Sequence, residues 1–189
     1  MTLSPGFADP VLDSQACFRA VLDAMARPGT IHTVGAPHDP PAPLGRAAAA
    51  ALLTLVDAET PLWLDDAAAQ AASWIAFHCG APLTTLPTAV FALALAPIPL
   101  AQLNPGSDEA PETSATLILQ LAALGSGTTL RLSGPGLAAP TSMQAKGLPP
   151  GFAAEWAANH ARFPRGIDLI LCAGDRLAAF PRTLTIQEA

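Results

Sequence analysis

The chain has 189 residues, 51% of them apolar and only 13% charged, with a net charge of −6. This length suits a single domain that can bury a sizeable core without metals or disulfides. One lysine and eight arginines, with no cluster of three, exclude a nucleic-acid backbone binder, which needs a dense basic patch.

Residues 1–12 read as an extended arm broken by Pro5, Gly6 and Pro10. Asp13 or Ser14 is placed to cap a helix in which Phe18, Val21, Leu22 and Met25 recur at helical spacing. Pro28-Gly29 stops it, because proline lacks a donor and clashes with the preceding turn. Thr30 to Val34 predicts a short strand and Gly35 to Pro43 a loop. Arg46 to Ala58 predicts a helix with almost no polar face, hence one buried on several sides. Thr60 to Leu64 reads as a strand, and Asp65-Asp66 cap a third helix running to about Cys79. Another strand is expected over Ala89 to Ala94.

Residues 97–114, cut by five Pro and Gly residues and carrying Asp108, Glu109 and Glu112, read as the least ordered stretch. Ala115 to Ala122 is apolar nearly throughout, as a central strand covered on both faces would be. Thr128 to Leu132 alternates, and Gly125-Ser126-Gly127 between the two predicts a hairpin. A long loop then carries Met143 and Lys146. A helix is predicted over 151–162, with Phe152, Trp156 and His160 four residues apart, followed by strands Ile167 to Cys172 and Arg176 to Phe180. Strands alternate with helices early and pair through turns late, which predicts one domain over 1–189 built on a mixed sheet with helices on its faces.

Low charge leaves two surfaces open: one covered by Ala, Gly and Pro, or one buried against a partner. No basic region followed by an apolar run opens the chain, and no stretch reaches the roughly 18 apolar residues of a membrane helix. No membrane contact is therefore expected, and the cytoplasm is the expected location. Cys17, Cys79 and Cys172 are odd in number and widely spaced, unlike a disulfide framework or a CxxC pair.

Residues able to do chemistry are few. His32, His38, His78 and His160 lack metal-ligand spacing, and no nucleophile elbow or Walker loop occurs. No metal, cofactor or catalytic residue is therefore expected. Gly125-Ser126-Gly127 and Gly134-Pro135-Gly136 could present backbone donors to an anion, or could be tight turns alone. Arg165, in the turn before Ile167, and Arg182, after the last strand, are candidate phosphate ligands; the alternative is ion pairing with nearby aspartates. Two classes stay open on the residues alone. One is a helper subunit of an assembly; the other is a small enzyme or binding protein for an anionic phosphorylated metabolite.

The segment from Gly6 to Gly29 narrows this choice. It resembles the opening of the PhnH subunit of the carbon–phosphorus lyase system, matching at Gln15, Phe18, Arg19, Leu22, Ala24, Met25, Pro28 and Gly29. Further blocks stay in order along the chain: Thr60 to Leu64, Ala115 to Gln120, Leu130 to Gly134, Phe163 to Leu171 and Pro181 to Thr183. The resemblance implies a three-layer α/β/α sandwich with a mixed sheet, similar in layout to pyridoxal-phosphate-dependent transferases but without the cofactor site. That agrees with a lone lysine, Lys146, in a loop flanked by Pro and Gly. It implies homodimers that join PhnG, PhnI and PhnJ in a core complex. That complex makes a ribose 1-phosphonate 5-triphosphate from ATP and an alkylphosphonate during phosphonate catabolism, with the bond-breaking chemistry in the other subunits. Arg19, Arg27, Pro28 and Gly29 are then expected in structural or interface roles. The chain departs from some relatives at Asn104 to Thr113, where acids replace a glycine-rich stretch.

Overall fold

The computed structural model describes residues 4–34 and 39–188. Residues 35–38 of the predicted loop, His38 among them, lie outside the described residues.

Helix α1 (Pro10–Ala26) begins earlier than expected, inside the predicted arm. Pro10 is not a breaker here, because the first turn of a helix has no intrahelical use for its missing N–H. Asp9, rather than Asp13 or Ser14, is the cap: its carboxylate accepts from the N–H groups of Val11 and Leu12 at 3.1 and 3.0 Å. The Asp13 carboxylate reaches back to the Asp9 N–H at 3.0 Å. Strand β1 (His32–Thr33) follows, then α2 (Arg46–Leu55), β2 (Leu62–Leu64), a 3-10 turn over Asp66–Ala71 and α3 (Ala72–Cys79). The predicted third helix is thus split, with Asp65 capping its 3-10 part through Ala68 N–H at 2.8 Å. Next come β3 (Phe91–Ala94), β4 (Thr116–Gln120), β5 (Ala123–Ser133) and β6 (Thr141–Lys146). Helix α4 (Phe152–His160), β7 (Asp168–Ala173), β8 (Arg176–Phe180) and β9 (Thr185–Glu188) complete the chain.

Six strands form the central sheet in the order β1-β8-β7-β4-β3-β2. The run β2, β3, β4 and β7 is parallel, while β8 and β1 join antiparallel, so the sheet is mixed. Its two faces are sorted by strand alternation. Leu93, Ile118, Ile170 and Cys172 face the layer of α1, α2 and α3. Leu117, Leu119, Leu169, Leu171 and Phe180 face the other side. Helix α2 lies deepest: Ala47 to Leu52 are all fully buried, and small alanines let α1, α3 and the sheet approach it from several directions.

The second outer layer differs from the α/β/α expectation. Besides α4 it holds a separate antiparallel sheet in the order β6-β5-β9. The predicted hairpin between the strands now numbered β4 and β5 is therefore absent. β4 lies in the central sheet between β3 and β7, and β5 pairs instead with β6 and β9. Periodicity could not choose between these partners, since an apolar run suits any covered strand. Gly125-Ser126-Gly127 is not a turn but the irregularity in β5 where its register with β6 shifts. A Cβ on Gly127 would lie 2.7 Å from the Ala145 carbonyl oxygen, so only glycine lets the two backbones meet there. Strand β6 occupies the predicted loop around Met143 and Lys146, and β9 occupies the predicted tail. Both strands are short, and β6 buries only Met143 and Ala145. No helix among the described residues is long and apolar enough to cross a membrane.

Candidate functional site

Arg182 and Arg165 meet at one corner, beside the N-terminal ends of β4 and β7, where Thr116 and Asp168 are register partners. Chain direction explains the placement: β8 runs antiparallel to β7, so the residues after Phe180 return to the level of Asp168. Arg182 Nε donates to both Asp168 carboxylate oxygens at 3.2 Å, and Nη2 donates to Oδ2 at 2.5 Å. Nη1 donates to the Pro111 carbonyl at 2.8 Å and to that of Pro164 at 3.4 Å. The Arg182 backbone N–H takes the remaining direction, donating to Asp168 Oδ1 at 2.7 Å. Both side chains are mostly covered, at 15% and 23% exposure. A guanidinium held by one carboxylate and two carbonyls has little left to offer a phosphate.

The same corner gathers backbone groups around α4. Asn159 is buried and its amide clamps Ile167 from both sides, accepting from its N–H at 2.7 Å and donating to its carbonyl at 2.9 Å. His160 Nδ1–H donates to the Arg182 carbonyl at 3.0 Å, which puts the proton on Nδ1. Trp156 Nε1–H donates to the Leu184 carbonyl at 2.7 Å. The stretch expected to be least ordered is stitched down here. Gly166 N–H donates to the Pro105 carbonyl at 2.9 Å, and Asn104 Nδ2 donates to that of Thr113 at 2.8 Å. Arg165 adds an ion pair from Nε to Asp108 Oδ1 at 3.0 Å that lacks the alignment of a hydrogen bond. Its side chain keeps 41% exposure, which leaves it far more accessible than Arg182.

The α1 residues divide in a different way. Pro28 is buried, and a Cβ on Gly29 would lie 3.0 Å from both Leu132 and Thr141, so this turn docks on the small sheet. A Cβ on Gly136 would come within 2.2 Å of the Ala26 carbonyl oxygen, so the β5–β6 turn needs glycine to accept the end of α1. The two glycine turns flagged as anion candidates are thus accounted for by close backbone approach. Arg27 pairs with Asp23 one turn back at 2.7 Å on an open surface. Arg19 is exposed, beside Val11, Phe18 and Leu22, which are 74%, 46% and 51% exposed.

One feature had no signal in the sequence. A cleft of about 440 Å³ opens at the opposite end of the strands, beyond the C-terminus of β7, lined by Leu44, Gly45, Arg46, Gly174 and Asp175 together with Asp39 and Pro40. Gln120, ending β4, holds one of its walls in place by accepting from Gly45 N–H at 2.7 Å and donating to the Pro43 carbonyl at 3.0 Å. The lining residues come from two segments far apart in the chain, 39–46 and 174–175, and the Ala47 N–H joins them by donating to the Gly174 carbonyl at 2.8 Å.

The thiols are not poised for chemistry. Burial pushes Cys79 up to about 11 and raises Cys17 and Cys172 as well, Cys172 further still beside Cys17. A reactive cysteine needs the opposite shift. Among the described residues no group of three or more His, Cys, Asp and Glu is arranged to hold a metal ion.

Residues 5–187 match the family of bacterial phosphonate metabolism proteins called PhnH. The chain belongs to the PhnH family. It is 42% identical, over 97% of its own length and 95% of the relative's, to the alpha-D-ribose 1-methylphosphonate 5-triphosphate synthase subunit PhnH of Rhizobium meliloti (strain 1021). It is also 40% identical over 82 residues to the putative C-P lyase subunit protein HtxG of Stutzerimonas stutzeri, covering 43% of this chain and 42% of that one. Membership places the chain in phosphonate metabolism and agrees with the resemblance carried by Gln15 to Gly29.

Proposed function

We propose that this chain is the PhnH subunit of a carbon–phosphorus lyase assembly and serves in making a ribose 1-alkylphosphonate 5-triphosphate from ATP and an alkylphosphonate. The observation that carries this reading is the likeness to the Rhizobium meliloti synthase subunit over nearly the whole of both chains. The residues support a contributing subunit rather than a stand-alone enzyme. The charged corner is occupied by the chain's own carbonyls and carboxylates, and the thiols are held protonated. The partners in this reading are a second copy of the chain and the PhnG, PhnI and PhnJ subunits, and the setting is the cytoplasm, where ATP is supplied. The chain acts as one domain, a reading supported by the central sheet that both cores share. Its layout is read as that of the pyridoxal-phosphate-dependent transferases, on the strength of a mixed sheet between two covering layers. Of the two arginines, Arg165 is the one whose exposure suits a phosphate contact, and Arg182 acts through the fold.

The test is complementation. A bacterium with the other lyase genes intact and its own PhnH gene deleted is supplied with this chain, with methylphosphonate as the only phosphorus source. Growth is expected, together with retention of the other subunits on a tagged copy. A folded, expressed chain that restores neither growth nor assembly overturns the proposal.

A further inference from the structure

Arg165 and Arg182 share a corner but differ in how far the chain occupies them. Each nitrogen of the Arg182 guanidinium donates to a carboxylate or carbonyl of the chain. Arg165 meets the chain through Nε, 3.0 Å from Asp108 Oδ1 and out of hydrogen-bond alignment. Among the described residues its Nη hydrogens have no hydrogen-bond partner. A guanidinium carries five donors, so most of the capacity of Arg165 is unused. The acids that face it stand on a tight tip. Ala110 N–H donates to Ser107 Oγ at 3.0 Å, and Ser107 N–H donates to the Ala110 carbonyl at 3.4 Å. Asp108 and Glu109 lie between them, both exposed. A Cβ on Gly106 would lie 2.9 Å from the Pro111 carbonyl oxygen, so the two ends of the tip touch. That base is fastened, since the Pro105 carbonyl accepts from Gly166 N–H and the Pro111 carbonyl accepts from Arg182 Nη1.

We infer that this tip is an autoinhibitory contact: Asp108, with Glu109 beside it, holds the place at Arg165 that a phosphate group would take, and a phosphate-bearing ligand must displace it. The inference rests on the reading of Arg165 as the phosphate contact and adds how that contact is regulated. The tip is a tethered anion, kept beside the guanidinium by its fastened base. Glu109 belongs to the same contact: its carboxyl is held below its ordinary value by its own backbone N–H and by Ser107, and Arg165 adds to the lowering. Asp108 competes weakly, because the pair is exposed and poorly aligned. A phosphate presents several oxygens and can take two aligned donors at once. The tip therefore lowers the affinity for a phosphate-bearing ligand and does not abolish it.

Calorimetric titration of the full chain with ATP at low ionic strength tests this. Asp108→Asn with Glu109→Gln should tighten binding about tenfold over the wild type, the combined effect of two exposed carboxylates. Glu112→Gln removes a third exposed acid, outside the tip, and should change the affinity by less than about twofold. Adding Arg165→Ala to the double variant should remove the gain. Tripolyphosphate should show the same gain as ATP, because the contact is with phosphate. A wild type that binds no ATP, or whose binding survives Arg165→Ala, overturns both the phosphate-contact reading and the autoinhibition. Binding that is lost in Arg165→Ala but unchanged in the double acid variant leaves the phosphate contact standing and overturns the autoinhibition. A gain matched by Glu112→Gln, or one that persists without Arg165, also overturns it, since net charge alone then explains the effect. A gain confined to ATP places the contact on the nucleoside and overturns it as well.

Discussion

The corner around Arg182 and the outer side of α1 present opposite chemistry and opposite bookkeeping. The corner is charged, yet its charges are spent within the chain: Arg182 serves Asp168, Pro111 and Pro164, and Arg165 meets Asp108. The outer side of α1 is apolar, yet Val11, Phe18 and Leu22 stand exposed. A residue type that could bind phosphate therefore holds the fold together, and a residue type expected inside stands outside. What separates the two regions is whether each group already has its partner. A buried charge must be paired within the chain or it costs several kcal/mol, whereas exposed apolar surface is tolerated until a partner covers it.

Removing Arg182 tests the first half of that contrast most severely. Arg182→Ala leaves Asp168 mostly covered without its cation and frees the Pro111 carbonyl, so a loss of about 3 kcal/mol is expected in urea unfolding. A variant as stable as the wild type would show that the guanidinium is available to a ligand after all. Asn159→Ala comes next, at about 2 kcal/mol, because it strands both the N–H and the carbonyl of Ile167 in a buried site. Proteolysis near residues 104–114 and 163–166 should rise in both variants, since those segments are tied to this corner. Arg165→Ala should change stability least, by under about 0.5 kcal/mol, because its ion pair with Asp108 is exposed. If it abolishes a calorimetric ATP signal shown by the wild type while stability holds, Arg165 is a ligand contact. If the wild type gives no ATP signal, the reading of Arg165 as an ATP contact fails for the isolated subunit.

Much of the fold was legible because local chemistry and tertiary need agreed. The amphipathic spacing of Phe18 to Met25 and the stop at Pro28-Gly29 marked α1, and the continuous apolar run near Ile118 marked a covered central strand. Asp9 does not stand out as a cap, because Pro10 reads as a breaker until it is seen to sit in a first turn. The small sheet was less legible. Strands β6 and β9 bury only a few side chains, so their alternation is too short to stand out from a loop. Partner choice for β5 depended on where β4 was already committed. The candidate site suffered most, since proline-rich composition suggested disorder at residues 97–114. Nothing in that composition showed that Arg182 and Gly166 would tie the segment down through the carbonyls of Pro111 and Pro105.

The sequence by itself determined the class of fold, the family, and a scarcity of groups able to do chemistry, because these follow from composition, spacing and ordered blocks of residues. Only the tertiary structure decided what the scarce polar groups do. An arginine offers the same five donors to a phosphate as to a carboxylate and two carbonyls. Which of these it meets depends on β8 returning the chain to Asp168, a consequence of strand pairing that no local stretch of sequence contains.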